Sequence, residues 1–171
     1  MSINEFLVSL LVSVTPVEMD DKLVINEYLN QEAVCLTQNV YYEARNQPLA
    51  GQMAVMSVTL NRVKDSRYPD TICGVVKQGP SRPSWKGTGE MIPIRHKCQF
   101  SWWCDGRSDT AHDTDSWMKA QEIAQRLVQS GKYRGITEGA THYHATYVSP
   151  RWAPTLDQVG RIGSHIFYRW N

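Results

Sequence analysis

The feature that most constrains the fold is an amphipathic stretch at residues 31–45. Its apolar side chains recur at the spacing of a core-facing helix; they are Ala33, Leu36, Val40 and Ala44, with Val34 and Tyr41 widening the stripe. Glu43 follows Leu36 by seven residues and Val40 by three, so it lies at the edge of this stripe. A carboxyl group there is partly desolvated, which raises its pKa towards the range that a general acid needs near neutral pH. Periodicity on its own favours a plainer interpretation, a boundary glutamate paired with Arg45 or a lysine.

Further helices are predicted on both sides of this stretch. Residues 20–30 form a short helix before it, and Pro48 stops the central helix because a residue before proline is displaced from the α region. A second amphipathic helix starts at Leu49 and is expected to pack against the central one, and a short helix covers residues 72–77. The clearest helix is residues 113–129, which Asp113, Thr114 or Asp115 can cap and Gly131 terminates.

Towards the C-terminus the hydrophobic period changes to two. Residues 141–146 and 162–168 alternate and are rich in β-forming residue types, so we expect them to pair as a small antiparallel sheet across a loop at residues 150–160. Residues 79–97 hold three prolines and three glycines without any period, which predicts a long surface loop. The fold class predicted is α+β, a single, mainly helical domain of five or six helices with a small antiparallel sheet.

Size and composition narrow the function classes. A chain of 171 residues with 42% hydrophobic residues suffices for one domain that buries roughly 70% of its unfolded surface. The net charge of +1 gives no overall basic field for nucleic acid. Six tryptophans and eight tyrosines against three phenylalanines suit stacking on flat, partly polar ligands such as sugars, or else ordinary core and boundary positions.

The apolar run at residues 6–14 is too short to span a bilayer, so no stable membrane insertion is expected. Glu5 is the only charge before it, which argues against a secretory signal. We interpret residues 3–14 as a short helix or strand packed on the domain, and export would then depend on something outside this chain.

Four cysteines, Cys35, Cys73, Cys98 and Cys104, allow three disulfide connectivities. A zinc site is a poor match because the chain has no C-x-x-C and its only close pair, Cys98 and Cys104, brackets an apolar segment. Disulfides are expected if the protein works outside the cytoplasm, and free buried thiols if it stays inside.

A series of short motifs follows in a fixed order along the chain. They include Tyr42-Glu43-Ala44-Arg45, Leu60-Asn61-Arg62-Val63, Tyr68-Pro69-Asp70-Thr71, Cys98-Gln99-Phe100-Ser101, Ala140-Thr141-His142-Tyr143-His144 and Ile162-Gly163-Ser164-His165-Ile166-Phe167-Tyr168. Each is weak alone, but together, collinear from about Cys35 to Tyr168, they resemble the SleB-type cell wall hydrolases, the catalytic domains of spore-cortex-lytic and phage endolysin-like enzymes.

The resemblance implies a lysozyme-like catalytic domain that acts on bacterial peptidoglycan, with Glu43 as the catalytic acid. It implies cleavage between N-acetylmuramic acid and N-acetylglucosamine, often by lytic transglycosylation. Residues 1–30 are then an N-terminal helical segment packed on a catalytic domain at residues 31–171. Many relatives carry a peptidoglycan-binding repeat domain that this chain lacks, and the loop at residues 79–97 looks longer than in the family. A lone catalytic domain without an export signal looks like a phage lysis enzyme, made in the host cytoplasm and released by a holin to reach the wall in the periplasm.

The chemistry expected at Glu43 needs no metal or cofactor. Hydrolysing glycosidases usually use two carboxylates, and the candidates for a second one, Asp105, Asp109 and Asp157, are also ordinary turn residues. A single-carboxyl mechanism fits better: protonated Glu43 protonates the glycosidic oxygen, and its carboxylate then takes the proton of the sugar's 6-hydroxyl, which closes a 1,6-anhydro ring. The sequence is equally compatible with products of hydrolysis.

Candidate substrate contacts surround this acid in the sequence motifs. Gln99 and Ser101 are predicted to bind sugar hydroxyls, Trp102 or Trp103 to stack on a ring, and Tyr143 and Tyr168 to offer hydroxyl contacts near the acid; His144 completes the set, while Phe100 is expected in the core.

The histidines support a rival hypothesis. His142 and His144 share a strand face, and with His165 and Glu43 they would make a zinc site of a metal-dependent amidase or peptidase. A non-catalytic glycan-binding module or virion protein is a third alternative. The sequence does not indicate the oligomeric state.

Overall fold

A computed structural model describes residues 16–130 and 135–171. Helix α1, Pro16–Ala44, is 29 residues long and joins the two helices predicted before and within residues 31–45. The prediction of two separate helices was wrong. No proline or glycine lies between Pro16 and Ala44, so the helix continues through the point where the pattern of buried residues changes. The predicted domain boundary between residues 30 and 31 falls inside this helix, and the predictions for residues 3–14 and for Gly131 concern residues outside the described ranges.

Burial along α1 follows the predicted stripe in its second half. Leu36 and Val40 are fully buried and Ala44 nearly so, whereas Val34 is 44% exposed and does not widen the buried face. The first half of the helix leaves Leu23 and Val24 mostly exposed. The apolar pattern therefore identified the core-facing part of α1.

Three more α-helices pack around the second half of α1. They are α2, Leu49–Val63, α3, Ile72–Val76, and α4, Thr114–Ser130. Asp113 caps α4, since its Oδ1 accepts the Ser116 N–H at 3.0 Å. Helix α2 is buried on both sides. Val55 and Met56 enter the main core with α1, α3 and α4, while other α2 side chains pack against the sheet.

The predicted surface loop at residues 79–97 contains a two-stranded antiparallel hairpin. Its strands are β1, Ser81–Pro83, and β2, Met91–Pro93, and Gly87 and Gly89 adopt positive φ angles at its tip. Each strand is three residues long and ends in proline, so no alternation was visible in the sequence. Its strand residues are mostly exposed, so the segment lies at the surface, as predicted.

The main sheet has the strands β3, His142–Ala145, β4, Asp157–Ile162, and β5, His165–Arg169, in the order β3-β5-β4, all antiparallel. The predicted pairing of the two C-terminal segments is confirmed. Residues 162–168 are not one strand, however, because Gly163 has a φ of 60° and reverses the chain between β4 and β5. Asp157 thus begins a strand in place of the predicted loop. The α+β class is confirmed, with four α-helices and two short 3-10 helices, Ser101–Cys104 and Ala153–Thr155, among the described residues.

Two disulfides select one of the three possible connectivities. Cys35–Cys73 joins α1 to α3, and Cys98–Cys104 closes the segment that holds the first 3-10 helix. All four cysteines are therefore paired, and the alternative of free buried thiols was wrong. Among the helices of the described residues, none combines the length and the apolar character needed to cross a membrane.

Candidate active site

Glu43 lies in the last turn of α1, where the helix end meets strand β3. The Tyr143 hydroxyl donates a hydrogen bond to Glu43 Oε2 at 3.0 Å. Both side chains are half-buried, and Glu43 opens into a cavity of about 270 Å³ whose walls include Tyr42, Gln47 and His165. A carboxyl group is thus held by one directional contact at the wall of a cavity, within reach of a ligand.

The surroundings of Glu43 favour its protonated form. Burial raises the pKa of this carboxyl, while the Tyr143 hydrogen bond and the positive charge of Arg62 act in the opposite direction and do not cancel the effect. The C-terminal end of α1 adds partial negative charge beside the carboxyl, which also disfavours its ionisation. Glu43 therefore keeps its proton to higher pH than an exposed glutamate.

Tyr143 is a donor over the whole neutral range. Burial, and then the charge of Glu43, raise the pKa of its hydroxyl well above the usual value. Its ring packs against Phe167 and His165, with centroids 5.7 Å and 5.1 Å away. Because the ring packs against two side chains of β5, its hydroxyl is held towards the Glu43 carboxyl.

Arg62, on helix α2, supplies the positive charge behind this pair. Its Nε donates to the Thr141 carbonyl at 2.7 Å, and its guanidinium lies 5.3 Å from the Tyr68 ring centre and 5.2 Å from that of Phe100. The side chain is buried, and its Nη1 has no hydrogen-bond partner within the described ranges. The sequence placed Arg62 in a motif without a predicted role. The signal that could have identified it is a single positive charge at the end of a mostly apolar helix.

The two tryptophans of the segment after Cys98 differ in burial. Trp102 is 7% exposed, stacks on Tyr42 at 4.7 Å and donates from Nε1 to Asn39 Oδ1 at 3.1 Å. Trp103 is only partly buried, and its ring lies 5.0 Å from Lys77 Nζ. Of the two stacking candidates, Trp103 therefore offers the more open ring.

The polar candidates Gln99 and Ser101 are exposed at the start of the same segment. The Gln99 N–H donates to the Gln78 carbonyl at 2.9 Å, which ties the backbone here to the end of α3. Phe100 is buried in the core, as predicted.

His144 and Tyr168 are brought together, but on the other face of the sheet from Tyr143. His144 Nε2 and the Tyr168 hydroxyl are 2.9 Å apart, and their rings stack at 5.3 Å. Successive residues of a strand point to opposite faces, so Tyr143 and His144 cannot both face Glu43. The expectation of a Tyr168 hydroxyl contact near the acid does not match this geometry.

The proposed zinc ligands are separated in the same way. His142 and His144 both pack on Trp152, whereas His165 pairs across the strands with Ala145 on the Tyr143 face. Within residues 16–130 and 135–171, no three histidine, cysteine, aspartate or glutamate side chains are grouped to hold a metal ion. The histidines do not converge with Glu43 on one point, so the zinc hypothesis lacks its ligand set.

His165 is the histidine that reaches the cavity of Glu43. It is 8% exposed, and burial, followed by the charge of His144, lowers its pKa. Its Nδ1 has no hydrogen-bond partner among the residues that the structure describes. The zinc hypothesis named His165 as a ligand, but its position as a neutral imidazole beside the acid was not predicted.

Two of the three candidate second carboxylates lie in a neighbouring cavity. Asp105 and Asp109 line a cavity of about 470 Å³ that shares Tyr42 and Arg45 with the cavity of Glu43. Burial and the charge of Asp105 raise the pKa of Asp109. Asp157 is exposed at the start of β4. Asp105 also has a turn role, because its Oδ1 accepts the Arg107 N–H at 2.7 Å.

Comparison with known proteins identifies the family. The model of the cell wall hydrolase family matches residues 46–168, most of the chain. The chain belongs to this family. A spore cortex-lytic enzyme of Bacillus cereus is 40% identical over 147 residues, which cover 84% of this chain and 46% of that protein. One from Oceanobacillus iheyensis is 41% identical over 143 residues, with 82% and 42% covered.

Solved structures of this cell wall hydrolase family share the fold. The catalytic domain of the Bacillus cereus SleB protein matches with a TM-score of 0.51 and 26% identity, covering 81% of this chain and 91% of that one. The catalytic domain of SleB from Bacillus anthracis, a germination-specific lytic transglycosylase, matches with a TM-score of 0.56 and 25% identity, covering 81% and 93%. The predicted SleB-type resemblance is therefore confirmed.

Two limits of the family match bear on the site. The chain spans less than half the length of the curated relatives it matches. The family match begins at residue 46, just after Glu43, so the assignment of Glu43 depends on its geometry. Tyr143, Arg62 and His165, which surround it, all lie within the matched range.

Proposed function

We propose that this cell wall hydrolase cleaves the glycosidic bond between N-acetylmuramic acid and N-acetylglucosamine in peptidoglycan, as a lytic transglycosylase. The observation that carries the proposal is the Glu43 carboxyl, half-buried at a cavity, with its pKa raised by burial and its orientation set by Tyr143. The names of the relatives, spore cortex-lytic enzymes and a lytic transglycosylase, support the same reaction class.

The first step is general-acid catalysis by Glu43. Its proton moves to the glycosidic oxygen while the bond from that oxygen to C1 of muramic acid breaks. The carboxylate left behind is stabilised by the Tyr143 hydrogen bond and by the charge of Arg62. Burial thus keeps the proton available before the step, and the two donors lower the cost of losing it.

The second step returns the proton to Glu43. The muramic acid 6-hydroxyl gives its proton to the Glu43 carboxylate, and its oxygen bonds to C1 to close a 1,6-anhydro ring. No water is consumed, and no second carboxylate is required. In keeping with this, the cavity of Glu43 is lined by no other carboxylate of the described residues.

A groove for the sugars follows from the neighbouring cavities. Tyr42 and Arg45 line both the cavity of Glu43 and the cavity of Asp109, so one glycan strand can occupy both. Gln99, Ser101 and Trp103 remain candidate sugar contacts on the exposed segment beside Trp102. His144 and Tyr168 are candidate glycan contacts on the face of the sheet opposite Tyr143.

The working compartment is proposed to be the bacterial cell wall, in the periplasm. Two disulfides are typical of proteins that act in oxidising compartments. The interpretation as a phage lysis enzyme stays a prediction.

The test is digestion of purified peptidoglycan by the wild type and by Glu43→Gln, with products resolved by mass spectrometry. The substitution keeps the shape and removes the titratable proton. Glu27→Gln is a matched control, since Glu27 is an exposed glutamate on the same helix. We expect 1,6-anhydromuramic ends from the wild type and the control, and none from Glu43→Gln. Reducing ends would instead indicate hydrolysis, with Asp109 the first candidate for the second carboxylate. An unaffected Glu43→Gln would refute the glycosidase assignment.

A further inference from the structure

A basic cavity adjoins the proposed site. It measures about 540 Å³, lies between the start of α2 and helix α4, and is lined by residues that include Arg45, Gln47, Gln52, Lys119, Glu122 and Arg126. Its volume is in the range of small-molecule binding sites. The mechanism proposed above makes no use of it.

The charges around the basic cavity are unbalanced. Glu122 is the acidic residue of its lining, and it accepts a hydrogen bond from Arg126 at 2.6 Å on the same helix. Arg45 and Lys119 form no ion pair with any described residue. Arg45 does donate from Nη1 to the Tyr41 carbonyl at 3.2 Å. With three cations and one carboxylate in its lining, the cavity carries a net positive charge, which is the arrangement that attracts an anionic group.

The basic cavity shares two wall residues with the cavity of the acid. Arg45 and Gln47 line both, and Arg45 is two residues from Glu43. Gln47 is fixed from both sides, because its Oε1 accepts the Ser164 N–H and its carbonyl accepts Gln52 Nε2, each at 3.0 Å. Arg45 and Gln47 thus lie at the border of the two cavities, where a group attached to a sugar at Glu43 would pass to reach Lys119.

We propose, building on the function proposed above, that the basic cavity binds a free carboxylate of the peptide stem of peptidoglycan. The stem is attached to the lactyl group of muramic acid, the sugar whose C1 reacts at Glu43, so it leaves the sugar next to this cavity. Its free carboxylates are the complement of Arg45 and Lys119, since ionised groups make the stronger hydrogen bonds. Substrates that carry peptide are then bound more tightly than bare glycan.

The experiment compares two soluble glycan substrates of equal length. One retains its peptide stems and the other has been stripped of them by an amidase; both are treated with hydrofluoric acid, so that neither carries phosphodiester polymers that would also bind cations. The variant is Lys119→Glu, at an exposed position on α4. Lys64→Glu, at an exposed lysine of the α2 C-terminus, is the control with the same change of charge.

We expect Lys119→Glu to lose about tenfold in kcat/KM on the peptide-bearing substrate, mainly through a higher KM, as for one lost hydrogen bond to a charged group. On stripped glycan it should equal the wild type, and Lys64→Glu should equal the wild type on both. Equal losses on both substrates, or no loss on either, would overturn the proposal.

Binding of the released stem peptide gives a readout that does not need cleavage. Titrated into the protein and followed by NMR, the free peptide should bind the wild type more tightly than Lys119→Glu, and its amidated form should bind both weakly. Equal binding to the two proteins would overturn the basic cavity as a peptide site even if no glycan were cut. Failure of the wild type to cleave any substrate, with this difference in binding retained, would count against the proposed function alone.

Discussion

Replacing Tyr143 with phenylalanine removes the hydroxyl that holds Glu43 and leaves the ring packed on Phe167 and His165. The hydrogen bond favours the ionised carboxylate, so its loss raises the pKa of Glu43 further. A hydrogen bond to a charged group is worth about 1.5–3 kcal/mol. Because Glu43 is only half-buried, we take about 1–2 kcal/mol, which is a factor of roughly 5 to 30 in the ionisation equilibrium.

The assay is the pH dependence of kcat/KM on soluble glycan strands. In a single-acid mechanism the rate falls at high pH as Glu43 loses its proton, so this alkaline limb should move to higher pH in Tyr143→Phe. The maximum rate should also fall by about tenfold, because the carboxylate formed during the reaction loses a donor.

A matched control is Tyr28→Phe, which removes a hydroxyl from a residue that is 49% exposed on the first half of α1 and does not line the cavity of Glu43. Its alkaline limb should coincide with that of the wild type. An alkaline limb of Tyr143→Phe that stayed in place or moved to lower pH would refute the idea that this hydroxyl stabilises the ionised acid.

Three further predictions concern stability, each measured by thermal or urea unfolding. The pKa of Glu43 is higher in the folded state than in the unfolded chain, so the free energy of unfolding falls as pH rises from the unfolded pKa through the folded pKa. Glu43→Gln should therefore be more stable than the wild type at pH 7, and this gain should vanish below about pH 4. Replacing both cysteines of the α1–α3 disulfide by alanine should cost about 4 kcal/mol, and the short disulfide around the first 3-10 helix about 2 kcal/mol, because the first closes the longer loop. Gly163→Ala should cost about 1–3 kcal/mol, since φ is 60° and a Cβ would lie 2.5 Å from Gln47 Oε1; Gly89→Ala, at a positive φ with open space around it, should cost less.

The helical part of the fold was predictable because each signal was local. The stripe of Leu36 and Val40 and the Asp113 cap depend on neighbours within a turn or two, and both are confirmed. The prediction of two helices in place of α1 was wrong because the deciding factor was not local. Its first half has an apolar pattern of its own, yet Leu23 and Val24 remain exposed, and only the position of the other helices decides which face is covered.

The sheet and the site show where local signals end. Alternation identified β3 and β5 but concealed the reversal at Gly163, because a two-residue turn preserves the period of two. The same alternation also implies that the adjacent residues Tyr143 and His144 point to opposite faces of the sheet, so only one of them can face Glu43. Arg62 was harder to place, since two of its partners, Phe100 and Thr141, lie far along the chain and only Tyr68 is close in sequence.

The position of Arg62 explains how Glu43 keeps a raised pKa although a positive charge lies nearby. A free arginine beside a carboxylate would pair with it and hold it ionised. The Nε of Arg62 instead donates to the Thr141 carbonyl, and its guanidinium packs on two aromatic rings. No ion pair with Glu43 forms among the described residues. Its charge therefore reaches Glu43 at longer range, as the weakest of the three influences on that pKa. Burial keeps Glu43 protonated before the reaction, and the charge of Arg62 stabilises the carboxylate that forms during it.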